Sequence, residues 1–371
     1  MIFAPATATV PRWLDELFLS GVRPAARWRR SYGGTVNLAN NELRHPLVES
    51  LIRRAVDKLD PRAWVGYPDY GQFRSRFAEL LGIVEPSVFF TAGSDQSYRA
   101  LFQLFGRDGR TVVTQVPNYS QLFEYASLLR MQVRSVPYRL DRGFDVEDML
   151  EAIEDAEAGS IVAVSNPNGP TGHWWSPDQL LRVARVCLER RCLLVVDEAY
   201  AAYAPVSALS TLYGQPHVVI VQSFSKAYGL AGARLAVNVC GDPRIADAVQ
   251  AWNVSNPVSG PTLAVAAEML TLADQFADVH AELIASRGAM NQGLRLFLDG
   301  VTVPGEGNFS AIRCRSIIDA ERFADGVASK GFSIRRLDGF GLPDWVRVTA
   351  ADHKTTTDFL DLARTVTEGW W

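Results

Sequence analysis

The chain of 371 residues is poor in cysteine, poor in lysine and free of any large charge of one sign. Its four cysteines, Cys187, Cys192, Cys240 and Cys314, form no CxxC pair and no zinc-like spacing. No disulfide scaffold and no metal site are expected, and the cysteines read as reduced core residues. With 37 basic against 41 acidic residues the net charge is −4, so no basic surface for nucleic acid is implied. No apolar run approaches the ~20 residues that a membrane helix needs. The opening MIFAPATATVPRWLDELF is amphipathic and acidic, unlike a signal peptide. These absences point to a cytoplasmic protein with no membrane partner. Repeats and low-complexity linkers are missing too. What remains, 48% hydrophobic and 21% charged residues, suits a globular enzyme of two domains or one large α/β unit.

The lysine shortage is informative. Lys58, Lys226, Lys330 and Lys354 are the only lysines; every other basic residue is arginine. A guanidinium stays protonated and cannot serve as an amine nucleophile. Lys58, Lys330 and Lys354 lie among polar or charged neighbours and read as surface residues. Lys226 follows an apolar run in VVIVQSFSKAYGLAGARL, where poor solvation disfavours its charged form.

Seven β-rich runs alternate with amphipathic ones between residues 87 and 239: SVFFTA, TVVTQV, QVRSVPY, IVAVSN, CLLVVDEA, VVIVQS and RLAVNV. Nearly continuous apolar strands suit a parallel sheet buried on both faces. Between them, Tyr98, Leu101, Phe102 and Phe105 follow helical spacing, and Ser176 with Pro177 opens PDQLLRVARVCLER as a capped helix. This alternation predicts a doubly wound α/β domain. After residue 240 come successive helices, one running from about Phe276 to Leu298. Short strands at VTVPG, NFSAIRC, GFSIRRL and DWVRVTA follow, with helices at 316–329 and 354–368, an α+β texture.

Ligands of such a sheet sit at the carboxyl ends of its strands, so the residues just beyond each strand outline the site. They are Gly93-Ser94-Asp95 at a helix start, Asn118-Tyr119, the tight loop Asn166-Pro167-Asn168-Gly169-Pro170-Thr171-Gly172, then Asp197 and Tyr200, and finally Ser223, Ser225, Lys226 and Arg234. A helix start, hydroxyls and an arginine suit a phosphate. A carboxylate in an apolar strand suits a cationic ring nitrogen, an aromatic side chain suits a flat face, and a poorly solvated amine suits an aldehyde. The ligand that unites them is pyridoxal 5′-phosphate. The freed Lys226 amine would then move the proton between the substrate α-carbon and the cofactor.

The set NPNGPTG, VVDEAY and SFSKAYGLAGAR, in this order and spacing, resembles the fold-type-I pyridoxal-phosphate enzymes of the class I/II aminotransferase superfamily. The likeness is strongest to its histidinol-phosphate aminotransferase-like branch. VNLANNEL near residue 40, YPD at 67–69, TAGSDQ, PNYS, GNF at 307–309 and WVRVTA at 345–350 match as well, so the resemblance spans roughly 35–350. It implies a large cofactor domain over 43–275 with a mostly parallel central sheet. A smaller α+β domain would combine 1–42 with 276–371.

The resemblance also implies roles. Lys226 would form the Schiff base, Asp197 meet the ring nitrogen, Tyr200 the phenolic oxygen, and Tyr119 stack on the ring. Ser94, Asp95, Ser223, Ser225 and Arg234 would serve the phosphate, and Tyr67 would reach the phosphate of a neighbouring subunit in a homodimer. Arg347 would grip the anionic end of the substrate, with Asn308 and the segment of Asn41 and Glu42 close by. Three departures stand out. Gly169 replaces the usual Asn that contacts the phenolic oxygen, leaving Asn168 to take over that contact. Gln96 stands where an acidic residue is common, and VNLANNEL lacks the NENP of the branch. The expected activity is transfer of an amino group between an amino acid, or a phosphorylated amino alcohol such as histidinol phosphate, and a 2-oxo acid. Decarboxylation, cyclising elimination or oxidation with the same cofactor is the alternative. A cofactor-sensing regulator is disfavoured, because no ~60–80 residues are left for a DNA-binding appendage.

Overall fold

Each of the seven β-rich runs forms a strand of one sheet. The computed structural model describes residues 36–106, 109–302 and 305–370. The described residues belong to one compact unit, and the expectation drawn from the first 18 residues lies outside them. Strand β1 (Val36–Asn37) opens the described chain. The large sheet follows with β2 (Val88–Thr91), β3 (Thr111–Val116), β4 (Gln132–Pro137), β5 (Ile161–Ser165), β6 (Leu193–Asp197), β7 (Val218–Ser223) and β8 (Ala236–Cys240). Their order across the sheet is β2-β8-β7-β6-β5-β3-β4. Strands β5 and β8 are buried at every position, which explains their unbroken apolar sequences.

The sheet is mostly parallel, as expected, with one strand reversed. β8 runs antiparallel to both β7 and β2. The chain between β7 and β8 holds only the short helix Phe224–Ala227 and a single turn of 3-10 helix at Ala231–Ala233. Neither is long enough to carry the chain back along the sheet for a parallel crossover. The reversal has a functional result: Ala236 pairs with both Ser223 and Thr91, so the preceding Arg234 sits at the carboxyl ends of the parallel strands.

Helices cover the sheet as their patterns require. Ser94–Phe105 buries Tyr98, Leu101 and Phe102. Pro177–Glu189 starts at a capping box: Ser176 accepts from the Gln179 amide at 3.4 Å, and Gln179 accepts from the Ser176 amide at 3.0 Å. All four cysteines are free and buried, and Lys58 and Lys354 form exposed ion pairs with Glu268 and Asp358. No helix among the described residues is long and apolar enough to cross a membrane.

Beyond the large sheet the chain forms β9 (Val301–Thr302), β10 (Phe309–Arg313), β11 (Phe332–Ser333), β12 (Arg335–Leu337) and β13 (Leu342–Thr349). Four of these make an antiparallel sheet ordered β12-β13-β10-β9, while β11 pairs in parallel with β1. The helix Ala273–Phe297 serves two cores: Phe276, Val279 and Leu283 pack with one, Met290 and Leu294 with the other.

Candidate active site

Lys226 lies in the four-residue helix that follows β7, and its amine donates to the Asn40 carbonyl at 2.7 Å. Burial lowers its pKa to about 8, and the nearby charge of Arg347 pushes in the same direction. Asp197 is the last residue of β6, 4% exposed, and accepts from the Ala199 amide at 2.9 Å. Burial pushes this carboxyl up to about 6, although the Ala199 amide favours its charged form. A cation placed against it would restore an ordinary carboxylate. Its neighbour Glu198 is committed elsewhere, accepting from Ser207 at 2.8 Å and Gln222 at 3.1 Å.

The phosphate-seeking residues gather at one corner. The helix Ser94–Phe105 begins there after Gly93, so its first amides have no partner within the helix. Gly93 adopts φ 79°, which favours glycine, and a Cβ there would come 2.5 Å from the Arg234 guanidinium and push it from its place. Arg234 lies 3.2 Å from the Asp95 carboxylate, which also accepts from the Tyr119 hydroxyl. A carboxylate repels a phosphate, so the Asp95 side chain holds Arg234 and Tyr119 while its amide lies at the helix start. Ser223 caps the Lys226 helix, accepting from Ser225 at 3.3 Å, and both serines are buried.

On the other side, residues 38–41 pass between the large sheet and β13. Thr349 binds the Leu38 carbonyl and the Asn41 amide, and Arg347 donates to the Ala39 carbonyl at 3.1 Å. Asn308 donates to the Asn41 carbonyl at 3.0 Å, and its own side-chain oxygen is buried without a partner. Arg347 is 8% exposed, lies 5.2 Å above the Phe309 ring and has an unpartnered Nε. Phe309 in turn meets the Tyr200 ring edge-on at 5.2 Å. Burial lowers the Arg347 pKa, and among the described residues no carboxylate pairs with it.

One expectation needs revision. Asn168 does not reach toward Tyr200. It is wholly buried, with its amide donating to the Pro117 carbonyl at 3.1 Å and its oxygen accepting from Thr171 at 2.8 Å, so closure of its own loop consumes it. Tyr200 is met instead by Asn41, whose amide donates to its hydroxyl at 2.8 Å. Tyr67 is 90% exposed and takes no part in the cluster within this chain. One residue escaped notice: Arg335 pairs across strands with Arg347, placing a second guanidinium on the same face. Its signal, an arginine in a strand beside another arginine-bearing strand, needs the register to be read. Gln96, the departure noted above, accepts from Ala92 at 2.6 Å and donates to Asn253 at 3.2 Å, a structural task.

Residues 34–359 match the model of the family described as aminotransferase class I and II. The chain belongs to that family. This aminotransferase is 30% identical over 304 residues to histidinol-phosphate aminotransferase 1 of Mesorhizobium japonicum, covering 79% of this chain and 80% of that one. It is 28% identical over 353 residues to histidinol-phosphate aminotransferase of Bacillus subtilis, covering 91% and 94%. Among solved structures, histidinol-phosphate aminotransferase of Sinorhizobium meliloti, crystallised with pyridoxal-5′-phosphate, matches with a TM-score of 0.79 and 26% identity over 91% of this chain and 92% of that one.

Proposed function

We propose that this aminotransferase works with pyridoxal 5′-phosphate on amino substrates that carry an anionic group, either an amino acid or a phosphorylated amino alcohol such as histidinol phosphate, with a 2-oxo acid as acceptor. The observation that carries the reading is that half-buried Lys226 and buried Arg347 reach the adjacent carbonyls of Asn40 and Ala39, with no carboxylate paired to Arg347 among the described residues. The cofactor suits the residues present. Asp197 lacks a cation that a ring nitrogen would supply, and the corner of Gly93, Arg234 and the helix start is an anion cradle. Bound there, the cofactor supplies an aldehyde and an electron-accepting ring that acidifies the substrate α-proton.

The chain's own residues do the rest. Asp197 would hold the ring nitrogen and Tyr200 the phenolic oxygen, and Tyr119 would cover the ring face. The amides of Ser94 and Asp95, with Ser223, Ser225 and Arg234, hold the phosphate. Lys226, its amine lowered to about 8 by burial, would hold the aldehyde carbon and would move the proton at the substrate α-carbon. Arg347 binds the substrate anion with Asn308 beside it, and Arg335 adds positive charge on the same side. Leaving a guanidinium buried and unpaired costs several kcal/mol, which an anionic substrate offsets.

Tyr67 acts across a homodimer on the partner subunit's phosphate site. In support, Trp64, Val65 and Tyr67 are 72%, 89% and 90% exposed, an apolar surface of the kind that a second copy covers. The test of the activity is to mix the holoprotein with histidinol phosphate, with glutamate and with histidinol, following the cofactor absorbance. The two anionic donors should convert the cofactor to its amine form, and histidinol, which has no anionic group, should do so at least ~10²-fold more slowly. No conversion with any donor would overturn the reading.

A further inference from the structure

The loop NPNGPTG carries Gly169 where an asparagine is usual, and Asn168 is turned away. A Cβ built on Gly169 would lie 3.1 Å from the Tyr200 ring and 3.5 Å from its hydroxyl, so the usual side chain would have met Tyr200 from this side. In this chain the amide that reaches Tyr200 comes instead from Asn41. Asn41 is wholly buried, adopts φ 56°, and donates through Nδ2 to the Tyr200 hydroxyl at 2.8 Å. Its Oδ1 is 3.1 Å from the Thr349 hydroxyl, its backbone N–H donates to that same hydroxyl at 3.0 Å, and its carbonyl accepts from Asn308. A left-handed backbone is one that Asn tolerates better than most residues, and here it aims the side chain inward. Its backbone N–H and carbonyl are both engaged, and its Nδ2 is given to Tyr200.

We infer that Asn41 is a positioning residue that stands in for the missing asparagine at position 169 and acts on the cofactor through Tyr200. This rests on the pyridoxal phosphate reading. The Tyr200 oxygen accepts from Asn41, so its own proton is directed elsewhere, and the phenolic oxygen of the cofactor is the acceptor that the cleft brings to it. An accepted hydrogen bond makes a hydroxyl a stronger donor. Donation to the phenolic oxygen draws off its negative charge. The Lys226 nitrogen, once bonded to the cofactor, then loses an anionic partner and gives up its proton at lower pH.

The experiment is a pH titration of the holoprotein absorbance, with thermal unfolding of the same samples. Asn41→Gly keeps the left-handed backbone and removes the amide; its midpoint should rise by about half a unit to one unit. Asn41→Asp keeps the shape but presents an acceptor that takes the Tyr200 proton, and it should rise at least as far. Adding Gly169→Asn to Asn41→Gly should return the midpoint toward wild type. In a Tyr200→Phe background, Asn41→Gly should add nothing. Unmoved midpoints in the folded Asn41→Gly and Asn41→Asp variants overturn the inference, as does a full shift without Tyr200. A double variant no better than Asn41→Gly overturns the equivalence of positions 41 and 169. A wild type with no pH-dependent cofactor absorbance overturns the cofactor reading and the inference with it, whereas a wild-type titration that the variants leave unmoved overturns the inference alone.

Discussion

Asp197 and Arg347 are both buried as charges without full compensation, and each makes a measurable cost. The Asp197 carboxyl stands at about 6 in the fold against 3.8 for the free group. Between those values the folded apoprotein holds a proton that the unfolded chain has released, so stability falls as pH rises. From pH 4.5 to 7 the loss is about 2 kcal/mol. Asp197→Asn removes it, so urea unfolding of the two apoproteins should show the variant gaining about 2 kcal/mol on wild type across that range. A constant gap would mean that Asp197 is already paired. For Arg347 the expectation is a trade: Arg347→Met should stabilise the apoprotein by about 1–3 kcal/mol while lowering kcat/KM about 10²-fold or more. Loss of stability together with activity would instead make Arg347 structural. Lys226 and Asp197 were legible in the sequence because a charged residue in or after an apolar strand is rare. Arg335, the contact of Asn41 with Tyr200 and the true orientation of Asn168 were not. Each depends on a partner brought close by folding, and Asn41 lies 159 positions from Tyr200.

At the scale of elements, β13 does more than complete the small sheet. Its last residue, Thr349, fastens residues 38–41 by binding the Leu38 carbonyl at 2.8 Å and the Asn41 amide at 3.0 Å. Thr349→Val keeps the side-chain shape and leaves those buried groups unpaired, at about 1–3 kcal/mol. A lowered Tm with a raised KM is expected, and Thr349→Ser should restore both; a normal KM would mean that the segment holds its place without Thr349. The strands and the capped helix at Ser176 could be read because apolar periodicity and cap chemistry are local. The direction of β8 could not. It follows from the lack of a full crossover helix between β7 and β8, while the apolar pattern of β8 is the same for either direction.

For the whole molecule, Trp64, Val65 and Tyr67 stand exposed side by side, and the dimer proposed on that surface can be tested. Light scattering should give twice the chain mass, and Val65→Asp should shift the protein toward monomer with weaker cofactor retention. Tyr67→Phe should leave the mass unchanged and weaken cofactor binding about 10-fold, the worth of one hydrogen bond to a charged oxygen. A dimeric Val65→Asp with normal cofactor content would contradict the interface.

The scarcity of lysine allows the central claim to be tested in one step. Borohydride reduction of the holoprotein, followed by digestion and mass analysis of the peptides, should place a single cofactor adduct on Lys226, the one lysine at the strand ends. An adduct on Lys58, Lys330 or Lys354, or none at all, would contradict the account.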